Sequence, residues 1–281
     1  MPKNGALPNL VVIGAMKCGT SSLHYYLGLH PEIQMSREKE LNFFLEAHNW
    51  PLGLEWYRSW FAPQYKVRGE TSPGYTAHPQ HAGVPERMHA LLPHAKIIYL
   101  VRDPADRLIS HYLHNLTEGK EARPLAEALR DPYNHYMQRS RYARQLERYL
   151  AFYPMSQILV LKQDDLRAQR QATLARVFGF LDVDDTFHDV RFGWERHRSE
   201  RKRQRTRFGH RLSKTAPMRL LQRVPRRIRW PVEDLIYLPF SRRVPRVRLD
   251  AALHAVVIDE LRAELERLSA LTGERFDDWL T

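Results

Sequence analysis

Leu10-Val11-Val12-Ile13-Gly14-Ala15-Met16-Lys17-Cys18-Gly19-Thr20-Ser21-Ser22-Leu23 is the stretch on which the reading of this chain turns. A short apolar run enters a turn that holds two glycines and a lysine, and a helix opens at the Thr-Ser-Ser cluster. The first amides of a helix lack internal partners, and the helix dipole favours negative charge there. Gly14 and Gly19 let the backbone close around an oxyanion, and Lys17 adds a full positive charge. Thr20, Ser21 and Ser22 add hydroxyl donors. A plain strand-turn-helix with capping hydroxyls requires neither the lysine nor both glycines, so the segment predicts an anion-binding turn. It departs from the nucleoside-triphosphate loop G-x-x-x-x-G-K-[ST] at its lysine. Lys17 precedes Gly19, Cys18 lies between them, and no lysine follows Gly19 directly.

Outward from this turn, short apolar runs alternate with helical stretches. That alternation predicts an α/β fold with a central parallel sheet covered by helices. Strands are expected at Leu10–Ile13, Lys66–Gly69, Lys96–Val101 and Gln157–Leu161. Three of the four are nearly continuous apolar runs, as in strands buried on both faces. Helices are expected at Thr20–Gly28, Trp56–Phe61, Pro85–Leu92, Pro104–Leu116, Arg139–Phe152 and Arg170–Leu181. A final helix after Pro245 carries Leu253, Val256, Val257, Leu261, Leu265 and Leu268 on one stripe. Between Arg191 and Arg229 arginine dominates and periodicity fades. The expectation is one domain over 1–281, with a basic flap or insertion at about 191–230.

Composition sets the outer limits. A chain of 281 residues with 43% hydrophobic and 27% charged content is globular rather than disordered. Lys and Arg number 44 against 32 Asp and Glu, a formal net of +12, which favours anionic partners. The single cysteine, Cys18, excludes an internal disulfide and a cysteine-based zinc cluster, and suits a reducing compartment. No apolar run reaches the ~18 residues of a membrane span. Leu7 to Met16 reads as a buried strand and not a signal sequence, because Lys17 follows it directly. The expected location is the cytoplasm.

The segment Gly14 to Leu23 resembles the 5′-phosphosulfate loop of sulfotransferases that use 3′-phosphoadenosine 5′-phosphosulfate (PAPS). It is nearest the branch that includes heparan sulfate sulfotransferases and many bacterial relatives. A second string, Ile97-Ile98-Tyr99-Leu100-Val101-Arg102-Asp103-Pro104 with Ser110 beyond it, resembles the family's 3′-phosphate motif. The resemblance extends to Lys39-Glu40-Leu41-Asn42-Phe43-Phe44 and to the Asp277-Asp278-Trp279 end. It implies that Lys17, Cys18, Gly19, Thr20, Ser21 and Ser22 hold the 5′ side of PAPS. Arg102 and Ser110 would hold the 3′-phosphate, and Arg203 would come from a basic loop closing over the nucleotide. The implied product is 3′-phosphoadenosine 5′-phosphate (PAP), and no metal is required.

Sulfuryl transfer needs a cation near the bridging oxygen, where charge builds, and a base for the acceptor proton. Lys17 suits the first task. Glu70, in Gly69-Glu70-Thr71-Ser72-Pro73-Gly74-Tyr75, resembles the Glu-x-[Ser/Thr]-Pro-x-Tyr segment of glycan sulfotransferases and is the expected base. Lys39 is expected to touch the sulfuryl group or the acceptor. His78, His81 and His111 are the rival bases. Cys18 reads as a small residue filling the turn, since it has no resolving cysteine. The expected acceptor is a carbohydrate, glycan-like or other small molecule carrying a hydroxyl or amine. The rival readings are a P-loop small-molecule kinase, which lacks its Gly-Lys-Ser/Thr here, and a basic nucleic-acid-binding protein, which lacks any recognised motif.

Overall fold

The computed structural model describes residues 5–131, 134–194, 203–205, 215, 236, 241–243 and 247–280. Its centre is a five-stranded sheet built from β1 (Leu10–Gly14), β2 (Ile33–Met35), β3 (Val67–Thr71), β4 (Lys96–Val101) and β5 (Ile158–Lys162). The spatial order is β2-β3-β1-β4-β5 and every pairing is parallel. All five residues of β1 and five of the six in β4 are buried, because helices cover both faces. The expected α/β class with a helix-flanked parallel sheet is therefore the one observed.

The order places a switch point beside β1. The chain leaves β1 through α1 (Thr20–Leu27) towards the β2 edge. It leaves β4 through α4 (Pro104–Thr117) towards β5, on the opposite side. Loops that part in this way open a crevice at the carboxyl ends of the two strands, where ligands of open α/β sheets bind. Both turns named from the sequence lie on this crevice. Helix α4 starts as its sequence dictates, with Pro104 in its first turn and Asp103 accepting from the Asp106 amide at 2.8 Å.

Several boundaries differ from expectation. Strand β2 is a three-residue edge strand whose short, mixed sequence gives no period. Strand β3 runs on to Thr71, so Glu70 lies inside it rather than beyond it. The helix expected over 139–152 starts only at α7 (Tyr142–Leu150), and a separate short α6 (His135–Gln138) precedes it across a break at 139–141. The break forms where the buried Arg107 guanidinium donates to Ser140 Oγ (2.8 Å) and to the Tyr136 carbonyl. Four further helices, in chain order α2 (Gly53–Arg58), α3 (Val84–Leu91), α5 (Leu125–Arg130) and α8 (Gln163–Ala168), are short, and α9 spans Arg170–Phe180.

The last helix, α10 (Ala251–Thr272), packs on α7 and α4. Asp250 caps it, and Gly273 ends it with φ 72°. Its buried stripe holds Val257, Ile258, Leu261, Leu265 and Leu268. Val256 is 59% exposed, so Ile258 takes the place the stripe had given it.

Most of the basic 191–230 stretch lies outside the described residues. Within it, strand β6 (Arg203–Arg205) pairs antiparallel with β7 (Ser241–Arg243), and its backbone lies against α4. The side chain of Arg203 is outside what is described.

Candidate active site

The turn after β1 is held open by its neighbours. A Cβ on Gly14 would come within 2.1 Å of Thr76 Oγ1, so only glycine fits there. Gly19 has φ 88° and caps α1 without a side-chain hydrogen bond. The amides of Gly19, Thr20 and Ser21 donate to no carbonyl among the described residues. They stand at the positive end of α1, as an anion site requires.

Cys18 does not join this set. Its amide donates to the Ala15 carbonyl at 3.2 Å, and its thiol is fully buried beneath the turn. Burial pushes that thiol up to about 11, against the opposing influence of Arg107, which leaves it a poor nucleophile and no ligand of the cleft. Its Sγ lies 3.8 Å from the Tyr142 hydroxyl, which donates to the Arg102 carbonyl at 2.8 Å. One buried tyrosine thus touches both the turn after β1 and the end of β4.

Lys17, Arg102 and Ser110 line one cleft of about 1280 Å³, together with Gly19, Thr20, Ser21, Ser22 and Lys39. Arg102 pairs with Asp106 at 2.5 Å, but that aspartate is 60% exposed, and such a pair holds the arginine only weakly. Ser110 is 9% exposed and lies on the α4 face that meets the cleft.

Glu70 is not on that cleft. It is fully buried, with Oε1 accepting from Tyr57 (2.6 Å) and Tyr75 (2.8 Å), and Oε2 from Ser72 (2.7 Å). Burial raises its pKa while the three hydroxyls oppose the rise. A carboxylate enclosed by three donors and absent from the cleft wall has no route to an acceptor proton. The expectation that Glu70 meets the acceptor is therefore corrected.

Another carboxylate does reach the cleft. Glu40 lines it beside Lys39, whose Nζ donates to Glu40 Oε1 at 2.6 Å. Four non-glycine residues among those described have left-handed φ, and three of them, Lys17 (73°), Glu40 (66°) and Asn42 (49°), are on the cleft. Such conformations cost of order 1–3 kcal/mol each and persist where the surroundings fix them. For Glu40 and Asn42 the surroundings are the strand end and hydroxyls around Glu70. Glu40 N donates to the Thr71 carbonyl (2.8 Å), Asn42 N to Ser72 Oγ (3.0 Å) and Phe44 N to the Tyr75 hydroxyl (3.3 Å). Glu70 thus anchors the segment that presents Glu40. The signal for Glu40 stood in the sequence, within Lys39-Glu40-Leu41-Asn42-Phe43-Phe44.

Of the rival histidines, His78 is off the cleft. His81 lines it with its ring 5.6 Å from that of His48, and burial lowers its pKa. His111 is buried and held neutral by burial and by Arg107, whose Nη1 is 3.5 Å from Nδ1. Of the cleft residues that were not foreseen, two stand out. Arg139 stands at the helix break, and Gln163 at the start of α8 lies against Gly19 with its Oε1 buried and unpartnered among the described residues.

Comparison with known proteins bears on this arrangement. A family model described as "Sulfotransferase domain" matches residues 7–215. The chain belongs to the sulfotransferase family. It is 30% identical over 200 residues to the human bifunctional heparan sulfate N-deacetylase/N-sulfotransferase 1, covering 64% of this chain and 22% of that protein. It is 31% identical over 191 residues to the mouse heparan sulfate glucosamine 3-O-sulfotransferase 5, covering 63% of this chain and 54% of that protein. The chain thus spans about a fifth of the bifunctional relative. A sulfotransferase structure from Alicyclobacillus acidocaldarius superposes with a TM-score of 0.71 at 22% identity, covering 98% of this chain and 100% of that one, which shows the shared fold. Neither the kinase nor the nucleic-acid reading is favoured by these likenesses.

Proposed function

We propose that this sulfotransferase transfers a sulfuryl group from PAPS to a hydroxyl or amine of a carbohydrate-like acceptor. The carrying observation is that Lys17 and the open amides of α1 share one cleft with Arg102 and Ser110. That is a site for an anion at each end. The donor fits its chemistry: Gly19, Thr20, Ser21, Ser22 and Lys17 would take the 5′ side, and Arg102 and Ser110 the 3′-phosphate. The heparan sulfate relatives support the carbohydrate acceptor.

Bound PAPS would supply an electrophilic sulfur whose bond to the 5′-phosphate oxygen breaks as the acceptor attacks. Lys17 stabilises the charge that builds on that oxygen. Glu40 takes the acceptor proton, in place of the Glu70 first expected. Lys39 holds the Glu40 carboxylate in position. Glu70, with Ser72 and Tyr75, fixes the backbone that carries Glu40.

Calorimetric titration of PAP and of AMP tests the donor reading. Wild type should bind PAP far more tightly than AMP. Arg102→Ala should lose roughly tenfold or more of PAP affinity, the weight of a charge-assisted hydrogen bond, and little for AMP. Equal losses for both nucleotides would remove the 3′-phosphate role. An acceptor screen with radiolabelled PAPS then tests transfer itself.

A further inference from the structure

Two guanidiniums, one lining the cleft and one behind it, have no counter-ion among the described residues. Arg107 is fully buried and bonds only neutral partners: Ser140 Oγ, the Tyr136 carbonyl and His111 Nδ1. Arg139 lines the cleft, donating through Nη1 to Met16 Sδ and through Nη2 to Gln80 Oε1, both at 2.9 Å. Its Nε is buried with no partner among the described residues. Among the described residues neither arginine has a carboxylate within ion-pair distance.

Burying a cation without its counter-ion is unfavourable, and so is leaving a buried donor unpaired. Burial, and after it the charge of Arg107, push the Arg139 guanidinium down to about 10, against the opposing charge of Glu40. Arg139 remains charged at neutral pH. A thioether sulfur and an amide oxygen are weak substitutes for an anion, and a guanidinium is built to bind oxyanions through several N–H groups. Its place fits that use. Met16 precedes Lys17 in the turn, and Glu40 lines the same cleft.

We propose that Arg139 is an oxyanion ligand of the cleft, positioned beside the turn that carries Lys17. The oxyanion has two possible sources: the transferable sulfuryl group of the donor, or an acidic group on the acceptor. The first source rests on the donor reading above; the second stands on the charge of the cleft alone.

The experiment compares wild type, Arg139→Gln and Arg139→Lys. PAPS and PAP differ by the sulfuryl group, so their dissociation constants are measured side by side by calorimetry. If Arg139 holds the sulfuryl oxygens, Arg139→Gln weakens PAPS about tenfold or more and changes PAP less than about twofold. If it holds an acceptor group, both nucleotides keep their affinity, and KM rises about tenfold for a carboxylated or sulfated acceptor but not for a neutral one. Either result supports the oxyanion role. Unchanged PAPS-to-PAP ratio together with unchanged KM values overturns it. Should Arg139→Gln fail to fold, Arg139→Lys, which keeps charge and stem but loses the fork, decides by the same ratios. Should wild type bind neither nucleotide, the donor reading falls by itself, and inorganic sulfate becomes the probe. Sulfate that raises the Tm of wild type but not of the Arg139 variant supports the ligand role, and equal shifts in both refute it.

Discussion

Glu40 and Glu70 sit on two stretches joined by three hydrogen bonds, yet they meet opposite surroundings. The Glu40 side chain is 54% exposed, lies on the cleft and touches a lysine. Glu70 is sealed among Tyr57, Ser72 and Tyr75. The contrast separates two uses of a carboxylate. One with open lone pairs near a reacting centre can exchange a proton, whereas one whose oxygens are filled by hydroxyls holds backbone in place. Position at a strand end does not decide between them; what covers the side chain does.

The largest expected effect is on Glu40. Glu40→Gln should lower turnover ~10²–10⁴-fold, the usual weight of a general base, while PAP affinity stays near wild type. Turnover within a few-fold of wild type would break the comparison at its first term. Glu70→Gln should act more gently, since the amide keeps one oxygen for the two tyrosines and loses the acceptor facing Ser72. Urea unfolding should show a loss of about 1–3 kcal/mol, from one buried partner left unsatisfied. Misplacing Glu40 should reduce turnover by about tenfold, well inside the range for displaced catalytic groups. A greater loss of turnover than Glu40→Gln, with fold and PAP binding intact, would invert the two roles.

The smallest effect is on pH dependence. Burial raises the folded-state pKa of Glu70 above its ordinary 4.5, so between those values the folded protein binds more protons than the unfolded chain. Stability from this group is complete below about 4.5 and is lost as pH rises through the folded value. The Tm of wild type should therefore fall relative to Glu70→Gln as pH climbs from about 4.5 towards neutrality. A gap that stays constant would show that Glu70 is not held up by its burial.

Much of this was legible in the sequence. Strands β1 and β4 announce themselves as unbroken apolar runs because both faces of the sheet are covered. Lys17 and Arg102 could be placed on the cleft from the sequence because one lies in the turn after β1 and the other directly follows β4, where an open α/β sheet binds ligands. The choice between carboxylates was not readable. It depends on aromatic rings packing against one another, with Phe43 stacked on Tyr57 at 4.1 Å, and that closes the space around Glu70. Arg139 was hidden for a related reason. The local pattern reads as the start of a helix, whereas the chain breaks there, beside the bond from the distant Arg107 to Ser140, and Arg139 lines the cleft. Val256 and Ile258 show the same limit on a smaller scale, since either completes the apolar period of α10 and packing selects one.

Tyr142 carries a consequence for what the cleft can accept. Its hydroxyl grips the carbonyl of Arg102 while resting on Cys18, so the two ends proposed to hold anions cannot drift apart without tearing a buried contact. On the proposed function the cleft is a caliper set to one gap. Molecules whose two negative groups are spaced for that gap can be clasped at both ends, and those spaced otherwise must forgo one jaw.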